Sequence, residues 1–162
     1  GKTLLNVAVS DHDGYEDLFV VRPELVGAHL GSGSQCRAEG LEQVGLPQCL
    51  PGWVRGTSSI KRWPEGVLQL LGEERLKSVL AVTRVPCLTY ASLVTIYGIG
   101  AIDILKVDAE GFDYQILRQV VDFGKLLGMW PWQVQFEKNS ISDWRALDEQ
   151  VARLHLNGYS CR

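Results

Sequence analysis

Residues Ile102–Gly111 read IDILKVDAEG, a mostly apolar run that ends in an acidic turn. Ile102–Val107 predicts a strand, and Glu110–Val121 predicts a helix with apolar residues on one face. A strand, a tight acidic turn and a helix make up half of a βαβ unit. The alternation continues with a predicted strand at Val134–Phe136 and a helix capped by Ser142. It therefore indicates an α/β fold with a parallel sheet covered by helices.

The first half of the chain predicts shorter elements around a long irregular segment. Thr3–Ser10 predicts a buried strand, and the turn at Asp13 and Gly14 favours a hairpin into a second strand at Tyr15–Val21. Residues 22–63 lack periodicity and are rich in glycine, which indicates an irregular insertion or long loop. Three elements are expected after it: a helix opened by Pro64, a strand at Val79–Val85 and a helix capped by Thr89 and stopped by Gly98.

Length and composition indicate one ordinary globular domain over residues 1–162. The net charge of −3 provides no basic surface for phosphate backbones, so nucleic acid is not an expected partner. No apolar run is long enough to span a bilayer, and we expect a soluble, cytoplasmic protein. Because the chain enters an apolar run at once, we also expect it to be a fragment of a longer protein.

Cysteine and histidine spacing does not indicate a metal site. The chain has no C-x-x-C pair and no histidine at ligand spacing, so we expect no bound metal. For a core of this size we expect reduced thiols, with two disulfides as the alternative. The four cysteines are Cys36, Cys49, Cys87 and Cys161. The three histidines are expected at the surface or at an interface: His12, His29 and His155.

Carboxylates after the Ile102–Val107 strand are the first candidates for chemistry. Ligands of open α/β sheets bind beyond the carboxyl ends of the strands, where Asp108 and Glu110 lie. Lys106 and Asp108 are two residues apart on a strand, so their side chains are expected on one face. An alternative stays open, in which both carboxylates cap the following helix and Lys106 is their salt-bridge partner.

Several motifs together resemble the FkbM-type methyltransferase family. LKVDAEGFD resembles the family signature, in which a strand ends in L-K-hydrophobic-D-hydrophobic-E-G. NVAVSDHDG, GTSSI, VPCLTYASLVTIYGI and VQFEKN resemble further family segments in the same order. The resemblance implies a Rossmann-like class I methyltransferase sheet. It also implies an S-adenosylmethionine-dependent O-methyltransferase that acts on a small-molecule or sugar hydroxyl.

The resemblance implies roles for individual residues. Three carboxylates are candidate catalytic groups: Asp108, as base or substrate-orienting group, Glu110 and Glu137. Ser10 and Asp11 are candidate cofactor contacts, although Asp11 is equally well explained as a turn residue leading to Gly14. Four residues are candidates for binding the small-molecule or carbohydrate acceptor: Lys106, Ser58, Ser59 and Asn139.

The sequence also departs from the family pattern. The resemblance implies two strands and a Gly-rich cofactor turn ahead of Thr3, and the 162 residues do not contain them. We therefore expect a partial domain whose sheet is truncated on its N-terminal side, which lacks the main cofactor-binding turn and has little or no activity by itself. An open sheet edge at the first strand predicts a homo-oligomer. The alternative function is a non-catalytic Rossmann-like binding or assembly module.

Overall fold

The computed structural model describes residues 3–26, 38–43, 49–51, 54, 58–60, 65–109, 111–138 and 142–160. These residues form a mixed α/β structure. The chain divides into two compact units. The first unit contains residues 1–16 and 85–162, and the second unit contains residues 17–84. Each unit has a hydrophobic core of its own.

The strands form two sheets. Four strands follow in the order β1 (Ala8–Val9), β4 (Leu80–Leu88), β2 (Gly14–Val21) and β3 (Ser59–Ile60). β1 runs parallel to β4, and β2 runs antiparallel to β3. The second sheet pairs β5 (Ile104–Val107) in parallel with β6 (Gln133–Phe136). This pair confirms the parallel strands that the alternation in the second half of the sequence predicts.

The first unit contains the three predicted helices, which are α4 (Tyr90–Ile96), α5 (Asp113–Leu127) and α6 (Trp144–His155). Helix α5 starts three residues later and ends six residues later than the predicted Glu110–Val121. The Thr89 side chain accepts a hydrogen bond from the Ser92 amide, which confirms the predicted cap of α4. The predicted cap of α6 is wrong by one residue, because Asp143 and not Ser142 accepts from the Ala146 amide. Buried side chains of α4 and α5, with Val107 of β5 and Leu147 of α6, form the core of this unit.

The second unit is built from short elements. Its helices are a 3₁₀ turn at Pro23–Leu25, α1 (Ala38–Gln43), α2 (Glu65–Leu71) and α3 (Glu73–Val79). The sequence predicted one helix after Pro64, but Gly72 separates α2 from α3 with a φ of 73°. That left-handed conformation strongly favours glycine and ends a helix. Residues 22–63 thus contain a 3₁₀ turn, α1, β3 and a parallel bridge between Val26 and Leu50.

Two predictions for the first strand are wrong. β1 is only two residues long, and Leu4 is 96% exposed rather than buried. The hairpin through Asp13 and Gly14 does not form, because β4 lies between β1 and β2. The Asp13 carboxylate instead accepts hydrogen bonds at the start of α4, from the Thr89 amide and the Ser92 hydroxyl. These hydrogen bonds hold the turn at Asp13 and Gly14 against the N-terminus of α4.

The cysteines differ from the expectation of reduced thiols. Cys49 is disulfide-bonded, whereas Cys87 is a buried thiol whose sulfur contacts His12. A single core of 162 residues does not need disulfides, but Cys49 belongs to a smaller unit made of short elements. Disulfides persist mainly in oxidising compartments, so the cytoplasmic location stays a prediction without support from the fold. No helix in the described ranges has the length and apolar character needed to cross a membrane.

Candidate functional site

The carboxyl ends of β5 and β6 bring together two of the predicted catalytic carboxylates. Val107 pairs with Phe136, so Asp108 and Glu137 each follow a strand at the same edge of the parallel pair. Lys106 Nζ donates to Asp108 Oδ2 at 3.3 Å, which confirms that these two side chains share a face. Both are open to solvent, at 68% for Lys106 and 50% for Asp108. An exposed ion pair contributes at most about 1 kcal/mol to stability, so a ligand can displace it at low cost.

The turn between β5 and α5 is organised by Asp113, which the sequence analysis missed. Asp113 is 1% exposed, and its carboxylate accepts from the Gly111 amide at 3.2 Å and the Ala109 amide at 3.4 Å. Gly111 has a φ of 90°, a conformation that glycine adopts readily. The N-cap of α5 is Phe112, which makes no side-chain cap bond. Asp113 rather than Asp108 therefore stabilises this turn, and Asp108 remains exposed beside Lys106.

The end of β1 places the two predicted cofactor contacts in different surroundings. Ser10 is buried; its amide donates to Leu88 O at 2.9 Å, and its hydroxyl donates to Glu16 Oε1 at 3.1 Å. Asp11 follows at the surface, with its Oδ1 3.0 Å from His12 Nδ1. Ser10 thus anchors the strand end, and Asp11 is the more accessible of the two.

Gln119 on α5 links the end of β1 to the start of α4. Its Nε2 donates to Ser10 O at 2.9 Å, and its Oε1 accepts from the Tyr90 amide at 2.9 Å. Tyr90 packs edge-on against Phe123. Burial, and to a smaller extent the nearby Tyr159, raise the pKa of Tyr90 to about 12. Tyr90 is therefore a core residue and not a proton acceptor near neutral pH.

Asp13, in the turn after β1, also binds the start of α4. Both of its carboxylate hydrogen bonds, to Ser92 Oγ and to the Thr89 amide, are 2.6 Å long. The Ser92 bond first, and then the Thr89 amide, lower the pKa of Asp13. An Asp followed by Gly predicts only a turn in sequence, so neither Asp13 nor Gln119 carried a signal for this role.

The remaining predicted site residues are placed only in part. Ser58 is half-buried in the second unit, and Ser59 begins β3. The Ser59 side chain, Glu110 and Asn139 lie outside the described residues. Of the candidate acceptor-side residues, the structure describes Lys106, Asp108 and Glu137 at one strand edge and the Ser58 side chain in the second unit.

An aromatic groove of about 940 Å³ runs along β6 and the end of α6. Trp130 lines it and packs against Tyr159, with the ring centroids 6.2 Å apart, and against Gly124 of α5. This contact supports a packing role for Trp130, which the sequence leaves open together with substrate stacking. Trp132 in the same groove is largely exposed.

Comparison with known proteins gives one match at the level of the family. The family model described as the methyltransferase FkbM domain matches residues 1–161. No curated protein and no solved structure matches the chain. The match includes both strand ends described above, at β1 and at β5 with β6.

Proposed function

Because this chain belongs to the FkbM methyltransferase family, we propose that it is an S-adenosylmethionine-dependent O-methyltransferase acting on a small-molecule or sugar hydroxyl. The observation that carries the proposal is the family match over residues 1–161, which contains all the candidate site residues. We further propose that its α/β fold is Rossmann-like. In that class, ligands bind at the carboxyl ends of parallel strands, where Asp108 and Glu137 lie.

Methyl transfer to a hydroxyl requires a group that accepts the hydroxyl proton, and the proposed group lies at the end of β5. S-adenosylmethionine, when bound, supplies the methyl group. The chain must hold the acceptor oxygen in line with that methyl carbon and remove the hydroxyl proton as the new bond forms. Asp108 is the proposed base or orienting group because it is exposed at a strand end. Glu137 and Glu110 are proposed as further carboxylates that contact the acceptor.

Lys106 is proposed to bind the acceptor together with Asp108. Its ammonium group donates to Asp108 in this structure and can donate to an acceptor oxygen when the exposed pair opens. Ser58, Ser59 and Asn139 are proposed as further acceptor contacts from the family resemblance alone.

The end of β1 is proposed as the cofactor side of the site. Asp11 is the stronger candidate of the two residues there, because its side chain is partly exposed while that of Ser10 is buried. A carboxylate can accept hydrogen bonds from the ribose hydroxyls or the adenine amino group of the cofactor.

The proposal is tested with the purified protein that carries this sequence. Calorimetry measures S-adenosylmethionine binding, and a panel of sugar and small-alcohol acceptors is assayed by S-adenosylhomocysteine release. We expect binding, weakened by Asp11→Ala, and product release with at least one hydroxyl acceptor. Binding without turnover on any acceptor would instead support the non-catalytic module. Failure to bind the cofactor would contradict the proposal.

A further inference from the structure

Three metal-ligating side chains from separate parts of the chain meet near the carboxyl ends of β1 and β4. They are His12 in the turn after β1, Glu16 on β2 and Cys87 on β4. One ligand atom from each residue lies within 4.8 Å of the others. All three belong to the first unit, and Cys87 pairs with Ala8 across the parallel strands.

The distances around His12 fit a metal-bound imidazole. Cys87 Sγ lies 4.0 Å from His12 Nε2. Bond lengths of about 2.3 Å for Zn–S and about 2.0 Å for Zn–N, at a tetrahedral angle, place the two ligand atoms about 3.6 Å apart. A shift of a few tenths of an ångström would therefore bring the sulfur and the nitrogen to ligand spacing.

The other ring nitrogen faces carboxylates. His12 Nδ1 lies 3.0 Å from Asp11 Oδ1 and 3.4 Å from Glu16 Oε1. A metal-bound histidine commonly donates its second N–H to a carboxylate, which fixes the tautomer and the ring orientation. Asp11 is placed for that role. Glu16, whose Oε1 also accepts from the Ser10 hydroxyl, brings a carboxylate oxygen within 4.8 Å of a His12 ring nitrogen and of Cys87 Sγ, and is the third ligand candidate.

We propose that His12, Glu16 and Cys87 bind one divalent ion of the zinc class, with Asp11 as a positioning residue for the imidazole. Thiolate, imidazole and carboxylate are the three protein ligand types that Zn²⁺ takes. Three protein ligands leave a fourth position for water. The bound ion ties the turn after β1 to β4. This proposal rests on ligand geometry; it shares Asp11 with the proposed cofactor side, and Co²⁺ binding in the absence of S-adenosylmethionine tests it separately from methyl transfer.

Burial of the sulfur favours metal binding over a reactive thiol. Cys87 is only 1% exposed, whereas reactive cysteines are at least partly accessible. The His12 side chain is 49% exposed and provides the route by which an ion enters. The thiol also lies 3.5 Å from the His12 carbonyl oxygen, so the sulfur and the imidazole-bearing residue are already in contact. His12 and Cys87 are 75 residues apart, far beyond any local ligand spacing, so the sequence alone gives no sign of this cluster.

Titration with Co²⁺, followed by competition with Zn²⁺, tests the site directly. Thiolate ligation of Co²⁺ gives an absorption band that neither a carboxylate nor an imidazole alone produces. We expect one ion per chain, the thiolate band and a rise in melting temperature. Asp11→Asn should weaken binding by about 10- to 100-fold, the usual effect of losing an outer hydrogen-bond partner of a metal ligand. His12→Ala, Glu16→Gln and Cys87→Ser should each weaken it more, and Cys87→Ser should abolish the band.

Matched controls are His155→Ala and Glu149→Gln, which change an exposed histidine and an exposed glutamate on α6. Both should bind Co²⁺ like the unmodified chain. Because His12 is half-exposed, His12→Ala should fold, and its melting temperature in EDTA should match that of the parent. Absence of a thiolate band, or binding that survives both His12→Ala and Cys87→Ser, would overturn the proposal.

Discussion

Asp113 is the residue whose loss should most disturb the turn after β5. Its carboxylate is the hydrogen-bond acceptor for the amides of Gly111 and Ala109. Replacing Asp113 with Ala removes both bonds and leaves the two donors without this partner. Gly111 is buried, so the loss there costs about 1–3 kcal/mol. Ala109 is half-buried and water can replace part of its bond, which adds about 0.5–1 kcal/mol.

The expected loss in the free energy of unfolding is therefore about 1.5–4 kcal/mol for Asp113→Ala. Asp113→Asn keeps one acceptor oxygen of similar shape and should lose about half as much. The matched control is Asp143→Ala, which removes a single bond to an exposed helix N-terminus and should cost about 1 kcal/mol. Urea unfolding followed by tryptophan fluorescence measures all three. If Asp113→Ala lowers the free energy of unfolding by no more than Asp143→Ala does, Asp113 does not stabilise the turn after β5 as proposed.

Two further predictions concern packing and acid stability. Gly124→Ala should lower the unfolding free energy by about 1–3 kcal/mol despite the better helix propensity of Ala, because the new Cβ would lie 2.5 Å from the Trp130 ring. Gly100→Ala, with open space around it, should be close to neutral, and equal effects of the two would contradict the packing account. The hydrogen bonds from Ser92 and the Thr89 amide lower the pKa of Asp13 in the folded protein. The stability that the Asp13 carboxylate contributes is therefore complete above its ordinary pKa of 3.8, and it is lost as the pH falls through the lower pKa of the folded state. Urea midpoints measured across this acid range should fall less steeply for Asp13→Ala than for the parent, and parallel curves would argue against the role of Asp13.

Elements with local signals are the ones that the sequence predicts well. Thr89 and Gly98 bound α4 because a cap and a stop act within a few residues of the helix they define. The alternation of Ile102–Val107 with the following helix predicts β5 and α5 for the same reason. The contact between Lys106 and Asp108 follows from the two-residue period of a strand.

Features that depend on distant partners are the ones that sequence reasoning misses. The hairpin at Asp13 fails because the carboxylate binds Ser92, which is 79 residues away. Gln119 reaches Ser10 across 109 residues, and no local pattern marks it. The same holds for His12 and Cys87, whose separation hides a possible ligand set. Each of these contacts becomes visible only when the fold brings the strand ends and helices together.

The proposed function depends most directly on Asp108, whose replacement can be compared with that of a similar exposed ion pair. Asp148 on α6 accepts from Lys138 at 2.7 Å, so Asp148→Asn also neutralises an exposed, lysine-paired carboxylate, but Asp148 is not one of the proposed site residues. Removal of a general base typically costs about 10²- to 10⁴-fold in rate.

The decisive measurement is S-adenosylhomocysteine release from S-adenosylmethionine and a hydroxyl acceptor by the parent protein, Asp108→Asn and Asp148→Asn. We predict turnover by the parent and by Asp148→Asn, and a loss of about 100-fold or more for Asp108→Asn. Equal rates for Asp108→Asn and the parent would contradict the role of Asp108, and no turnover by the parent on any hydroxyl acceptor would contradict the O-methyltransferase assignment.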